Sequence, residues 1–317
     1  MNLLQTNFSL DNVTILIEGN CTNKEYISKT KETSFIDNRT GDTKIYRKGQ
    51  LENLRINENL CKEFTTITGS LTGFFNKGNN FNSISLNNLP EAYVELGSIL
   101  GIEENKMLNA YFIAGKSNGF EYGVSFEVIQ PPHLYINSLL KMKGKNNKSN
   151  YGGKGFDTTY FINKSYGFYF YDKGEELREK GFSLPENWEN KNILRIEKRL
   201  KTGQALKALT GSKLYVRDID RTKFKKACMA NFMKSYKGIT IEGVTSKENI
   251  ATLTFEEMYM LNHPKEALKN LDLLLQEKKI CKSSYYKKLK KLKELVSSSG
   301  SIKEELDSML ERIGNNF

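Results

Sequence analysis

From Gly119 to Val128 the chain alternates without interruption. Phe120, Tyr122, Val124, Phe126 and Val128 fall on one side, and Glu121, Gly123, Ser125 and Glu127 fall on the other. Successive side chains of a strand point to opposite faces, so a period of two predicts a strand with one apolar and one polar face, here with two carboxylates on the polar one. Two later segments repeat the pattern. Gly167 to Lys173 places Phe168 and Phe170 opposite Tyr169 and Tyr171, and Asn192 to Leu200 groups Arg195, Glu197 and Arg199 on one face. A strand with one apolar face buries it only under another layer, so such segments call for sheet covered on one side by packed elements, which fixes most of what the chain can become.

The remaining segments supply strands before this body and helices after it. Asn12 to Leu60 reads as strands, with a turn near Asn38 to Asp42 where Asp-Asn-Arg-Thr-Gly-Asp breaks the alternation. Phe64 to Ile84, rich in glycine and asparagine at turn positions, predicts a hairpin. Leu89 to Ile102 carries Ala92, Tyr93, Leu96, Ile99 and Leu100 at helical spacing and ends at Gly101. A short helix is expected over Leu134 to Met142 and a flexible basic loop over Lys141 to Gly155. Helices are expected over Asp218 to Lys234, Phe255 to Leu261, Lys265 to Gln276, Ser283 to Val296 and Ile302 to Ile313. The expected fold class is therefore α+β: a mainly antiparallel sheet with packed helices over 1–214, followed by a helical C-terminal region over 215–317.

Composition narrows the function classes. The chain has 317 residues, 38% of them hydrophobic, enough for a real core, and a formal net charge of +11 that favours a polyanionic partner. The four cysteines, Cys21, Cys61, Cys228 and Cys281, form no CxxC pair, which speaks against a zinc knuckle or a disulfide framework. With only His133 and His263, no HExxH or other paired-histidine motif exists. Neither a signal peptide nor an apolar run of membrane-spanning length stands out, so a soluble, cytoplasmic protein is expected.

The candidate chemistry lies between Glu121 and Leu200. Glu121 and Glu127 share a strand face about 20 Å apart at ~3.3 Å per residue, so one ion cannot be held by both, and Glu121 is the better ligand. Glu197 is flanked on its face by Arg195 and Arg199, either an ordinary ion pair or a metal ligand beside two phosphate-binding arginines. Strand parity turns Asp172 toward the aromatic side, away from Tyr169, Tyr171 and Lys173. Tyr160 precedes this strand, near Gly152, Gly153 and Gly155, and Lys154, a candidate DNA contact, lies among those glycines. Carboxylates that converge would suit a hard cation such as Mg²⁺ or Mn²⁺. Lys287, Lys288, Lys290 and Lys291 lie on a helix whose apolar residues would dock, leaving the lysines as phosphate-directed charges or simply a solvated face.

Tyr160-Phe-x-x-Lys-Ser, then Phe168-Tyr-Phe-Tyr-Asp-Lys-Gly-Glu-Glu, then Leu194-Arg-Ile-Glu-Lys-Arg-Leu-Lys resembles the core of the gene II/X replication initiators of filamentous phages and of related plasmid rolling-circle initiators. Upstream, Thr68-Gly-Ser-Leu, Lys77-Gly-Asn-Asn, Leu96 to Ile102 and Glu121-Tyr-Gly-Val-Ser-Phe resemble further signposts of that family, so the likeness spans roughly Phe64 to Leu214. It implies a site-specific single-strand endonuclease and strand-transferase acting on single-stranded or supercoiled origin DNA, with host helicase and polymerase as partners. It also implies Tyr160 as the nucleophile, Glu121, Glu197 and Asp172 as metal ligands, and Lys173 as part of the Tyr-Asp-Lys motif. Two features depart from the pattern: the Tyr160 to Tyr171 spacing is short, and no arginine precedes the first-strand acid. Tyr166, Tyr169 and Tyr171 therefore stay open as competitors. A DNA-binding protein that keeps the fold without the chemistry is the alternative.

Overall fold

The computed structural model describes residues 7–23, 28–37, 39–79, 81, 84–115, 119–142, 146–150, 158–219, 222–241, 264–297 and 300–315. The chain is α+β, built on antiparallel sheets with packed helices and ending in a helical region. One six-stranded sheet runs in the order β1 (Asn7–Leu10), β8 (Phe120–Glu127), β13 (Ile193–Leu200), β12 (Tyr166–Asp172), β11 (Thr158–Ile162), β10 (Asn146–Asn150). A second runs β3 (Ser28–Ile36), β4 (Thr43–Leu51), β5 (Leu54–Asn59), β6 (Phe64–Ser70), β2 (Asn12–Glu18), β7 (Tyr111–Ile113). A ribbon pairs β9 (Leu139–Met142) with β14 (Ile239–Ile241). Only Asp11 separates β1 from β2, so the chain passes from the first sheet to the second through one residue, whose N–H donates to the Glu121 carbonyl at 3.1 Å.

The three alternating segments are neighbours at the centre of the first sheet. On one side, here the back, Phe8, Phe120, Tyr122, Val124, Phe161, Phe168, Phe170 and Ile196 are all buried. Burying an aromatic or branched side chain contributes about 1.5–3 kcal/mol, so a one-residue slip of any central strand would forfeit several such terms at once. Helix α7 (Thr222–Tyr236) covers this side. Phe232 packs edge-on to Phe168 at 5.0 Å between ring centroids, and Phe224 packs edge-on to Phe120 at 6.3 Å. Lys198 interrupts the apolar row. Its ammonium is buried, donating to the Asn231 carbonyl at 2.9 Å and the Ser235 hydroxyl at 2.5 Å, and it lies 4.5 Å from the centre of the Tyr166 ring.

Helix α2 (Leu89–Leu100) occupies the expected span and stops at Gly101, in the left-handed region at φ 66°. The chain turns between Asp37 and Asp42 to join β3 to β4, with the Thr40 and Gly41 N–H groups donating to the Asp37 carbonyl. Three expectations need correction. The hairpin expected over Phe64 to Ile84 is β6 followed by a helical turn, α1 (Leu71–Phe75), because the Ser70 hydroxyl accepts from the Gly73 N–H at 3.0 Å and caps it. The helix expected over Leu134 to Met142 is α4 (Pro132–Ser138), after which the chain extends into β9. Within the expected basic loop, residues 146–150 form β10 along β11. The helix expected over Phe255 to Leu261 lies outside the described residues.

The expected division at residue 214 falls within a shared core. Phe224, Cys228, Met229 and Phe232 of α7, with Ile302, Leu306, Leu310 and Ile313 of the last helix, α10 (Gly300–Asn315), belong to the same apolar cluster as the strands. Tyr135 of α4 donates its hydroxyl to Glu305 of α10 at 2.6 Å. Helices α8 (Pro264–Gln276) and α9 (Lys282–Ser297) occupy two of the expected helical spans and contact each other, with the Tyr285 hydroxyl donating to Asp272 at 2.7 Å. Helices α3 (Glu104–Leu108), α5 (Lys173–Glu179) and α6 (Gly203–Thr210) complete the set. No helix among the described residues is long and apolar enough to cross a membrane.

Candidate active site

Register brings the chemistry together. Tyr160 on β11 is paired with Tyr169 on β12, Tyr169 with Glu197 on β13, and Glu197 with Gly123 on β8, one row running across four strands. Glu121 and Arg199 are partners two residues along, and Tyr171, Arg195 and Ser125 form the row on the other flank. All these side chains stand on the front of the first sheet, opposite the aromatic core. Tyr160, Tyr169, Tyr171, Glu121, Glu197 and Arg199 line a cleft of about 540 Å³ whose other wall is Asn53, Arg55, Thr68, Gly69 and Ser70 of the second sheet, with Asp11 and Asn12 where the sheets join and Glu176 and Lys180 from α5.

Two glycines make room for this arrangement. A Cβ on Gly123 would lie 2.8 Å from the Glu197 side chain and closer still to the Ile196 carbonyl, and one on Gly167 would lie 2.6 Å from the Tyr169 ring. Glycine inside a strand otherwise weakens it, so its presence here marks the close approach of a neighbouring group.

The two glutamates are buried and differently held. One Glu197 oxygen, Oε1, accepts from the Tyr171 hydroxyl at 2.7 Å and from Arg195 Nε at 3.0 Å. Glu121 is 4% exposed and paired with the Arg199 guanidinium. Burial and the neighbouring Glu197 charge push its carboxyl up to about 8, against the pull of Arg199, and Asp11 adds further negative charge. Ionised together, the carboxylates would concentrate more negative charge than the two arginines neutralise comfortably in a low-dielectric cleft.

The tyrosines separate by environment. Tyr166 points to the back, partly buried against the core and over Lys198. Tyr171 is buried with its hydroxyl committed to Glu197, and burial raises its phenol well above the usual value. Tyr169 is sandwiched: Tyr160 stacks on it at 5.5 Å with planes 22° apart, and the Arg199 guanidinium lies 5.3 Å from its ring centre. Burial raises the Tyr169 phenol as well. Tyr160 is half-buried at the cleft wall, at the outer end of the stack.

Several expected residues stand elsewhere. Arg195 is not a surface phosphate contact. It is 5% exposed and braces Glu197, donating also to Ser9 at 2.8 Å and Ser125 at 3.2 Å. Asp172 does not line the cleft; its carboxylate caps α5 by accepting from the Glu175 N–H at 2.9 Å. Lys173 begins that helix, fully buried, and donates to Glu176 at 2.7 Å, so it holds a cleft residue without lining the cleft itself. Lys287 and Lys290 on α9 are exposed and Lys288 half-buried, while Lys154 and the Lys291 side chain lie outside the described residues.

The sequence reading missed Asp11, Asn53, Arg55, Glu176 and Lys180. Arg55 had a signal in the alternation Leu54-Arg55-Ile56-Asn57, but nothing local indicates which sheet it will face. Asp11, a single polar residue between two strands, carries no pattern of its own. Among the described residues no three His, Cys, Asp or Glu side chains form a ready metal cluster. The oxygen-only donors Glu121 and Glu197 nevertheless fit Mg²⁺ or Mn²⁺, since Mg²⁺ is commonly bound through one or two carboxylates, water and substrate phosphate. Neither protein-family models nor curated proteins match the chain.

Proposed function

We propose that the chain is a tyrosine-dependent DNA nicking and joining enzyme, an initiator of rolling-circle replication acting on single-stranded or supercoiled origin DNA. What supports this reading is the convergence, in one cleft, of a half-buried tyrosine and two buried glutamates that lie 39 and 37 residues from it along the chain (160 − 121 and 197 − 160). In the reaction the Tyr160 phenolic oxygen forms a bond to phosphorus while the bond from phosphorus to the 3′ oxygen breaks. The tyrosine is left on the 5′ phosphate, the phenol's proton leaves through the carboxylate-lined cleft, and the departing 3′ oxygen takes up a proton. The phosphotyrosyl linkage retains the reactivity of the diester, so a 3′ hydroxyl can reverse the step and rejoin the strand.

Tyr169 orients Tyr160 by stacking, and Arg195 with Tyr171 fixes Glu197. Mg²⁺ or Mn²⁺, held by Glu121 and Glu197, would supply positive charge to polarise the phosphate. A host polymerase extending the 3′ end and a helicase unwinding ahead of it would be the partners.

The decisive experiment incubates the protein with single-stranded DNA of its own replicon and Mn²⁺ or Mg²⁺. A covalent protein-DNA adduct that is lost in Tyr160→Phe supports the reading; tight binding with no adduct under either metal refutes it. One observation favours a DNA-binding protein without chemistry: each glutamate already has an arginine partner.

A further inference from the structure

The cations of the cleft are mostly committed. Arg199 pairs with Glu121, Lys180 with Glu176, and behind the wall Arg195 pairs with Glu197 and Lys173 with Glu176. Arg55 differs. It is exposed, lines the wall contributed by the second sheet, and among the described residues has no carboxylate within ion-pair distance. Its place is fixed: β5 pairs with β6 so that Arg55 is the partner of Thr68, whose hydroxyl is hydrogen-bonded to Thr14 of β2 at 2.9 Å. Leu54 and Ile56 on either side are buried, which turns Arg55 outward to the cleft.

A guanidinium on a rigid strand, always charged and with donors in a planar fork, suits a phosphate better than a flexible ammonium does. Any anion taken by Arg199 or Lys180 has to compete with a carboxylate already in contact, whereas one taken by Arg55 does not. We infer that Arg55 anchors a backbone phosphate of the bound strand beside the one attacked, which makes the second sheet a clamp closing the substrate against the first. The inference deepens the nicking reading, from which it takes nucleic acid as the ligand.

The test measures binding of a fluorescently labelled oligothymidylate to the full chain by anisotropy across a range of salt, without divalent metal. Each phosphate neutralised on a single strand contributes about −0.7 to the slope of log K against log salt. Arg55→Ala should make the slope shallower by about 0.7 and weaken binding roughly tenfold at low salt, the effect of removing one charged hydrogen-bond donor. Arg55→Lys should retain the slope, and Arg39→Ala, an exposed arginine of the β3–β4 turn, should change nothing. An unchanged slope in Arg55→Ala overturns the inference, as does the absence of salt-dependent binding by the wild type. Binding through Arg55 with no tyrosyl adduct would remove the nicking reading and leave the clamp; an adduct with an unchanged slope would do the reverse.

Discussion

The two faces of the first sheet are made by the same strands and solve opposite problems. On the back, β8, β12 and β13 contribute Phe120, Tyr122, Phe168, Phe170 and Ile196, sealed by α7. One residue along each strand, the front carries Glu121, Tyr169, Tyr171, Arg195 and Glu197, covered by a second sheet that leaves a cleft instead of a core. Each face buries a cation of β13, and the partners differ. Lys198 on the back is held mainly by neutral oxygens of Asn231 and Ser235, and Arg195 on the front by the Glu197 carboxylate and two serines. The back peg joins a helix to the sheet. The front one aligns a carboxylate, which is work an apolar side chain of the same size could not replace.

The largest expected effect is on the front. Tyr160→Phe keeps the ring that stacks on Tyr169 and removes only the oxygen, so the proposed nicking activity should fall by roughly 10⁴-fold or more, as when a covalent nucleophile is lost. The melting temperature should barely move. Gel assay of the adduct beside a thermal melt checks both. Equal loss of activity and stability would mean that the two faces are not separable. On the back, Phe168→Ala should destabilise by about 3–5 kcal/mol, because it removes a fully buried ring packed edge-on between Phe170 and Phe232 and leaves a cavity there. Urea unfolding measures this; a change under about 1 kcal/mol would show that α7 is not the lid of the core.

Much of this contrast was legible in the sequence. Period-two alternation determines which residues share a face, so the grouping of Arg195, Glu197 and Arg199, and the turning of Asp172 away from Tyr171, followed from parity alone. What parity does not supply is the neighbouring strand. That Tyr160 aligns with Tyr169 and Glu197 depends on register, and register is set by nonlocal packing. The second wall was illegible for the same reason. Arg55 is one polar residue among several on an alternating strand, and its importance comes from a sheet-on-sheet contact that opens at Asp11. Burial was equally illegible: alternation places Glu121 on the polar face of β8 but does not show that it is only 4% exposed, because residues of β2 and β6 stand across the cleft from it.

The next effect, smaller than the core cavity, concerns the charge stored on the front. Glu121 has its carboxyl raised from an ordinary 4.5 to about 8 in the fold, chiefly by burial and by Glu197. Between these values the unfolded chain releases the proton and the folded chain keeps it. The contribution is therefore fully present below about pH 4.5 and is lost as pH rises toward 8. Wild-type protein should melt several degrees lower at pH 9 than at pH 5 beyond any change in Glu121→Gln, which has no proton to release. Mg²⁺ or Mn²⁺ should return part of the difference at pH 9 to the wild type and none to the variant. Parallel pH profiles for the two proteins would show that Glu121 is not the titrating group.

The smallest effect on the fold, and the one that bears on how far the proposed DNA path extends, belongs to α9. Lys287 and Lys290 are exposed, and helix α9 pairs with α8 at a distance in sequence from the cleft strands. Neutralising Lys287, Lys288, Lys290 and Lys291 to glutamine should alter the unfolding free energy by under about 0.5 kcal/mol, as surface changes usually do. If the helix binds DNA, the slope of log K against log salt should become shallower by about 0.7 for each phosphate the variant no longer neutralises on a single strand, or about 0.9 on a duplex. Comparing the two substrates distinguishes a path continuous with the cleft, where the single-strand slope changes, from a separate duplex grip, where only the duplex slope does. If neither slope changes, α9 has a solvated face and DNA affinity is confined to the cleft, where Arg55 and Arg199 would have to carry it.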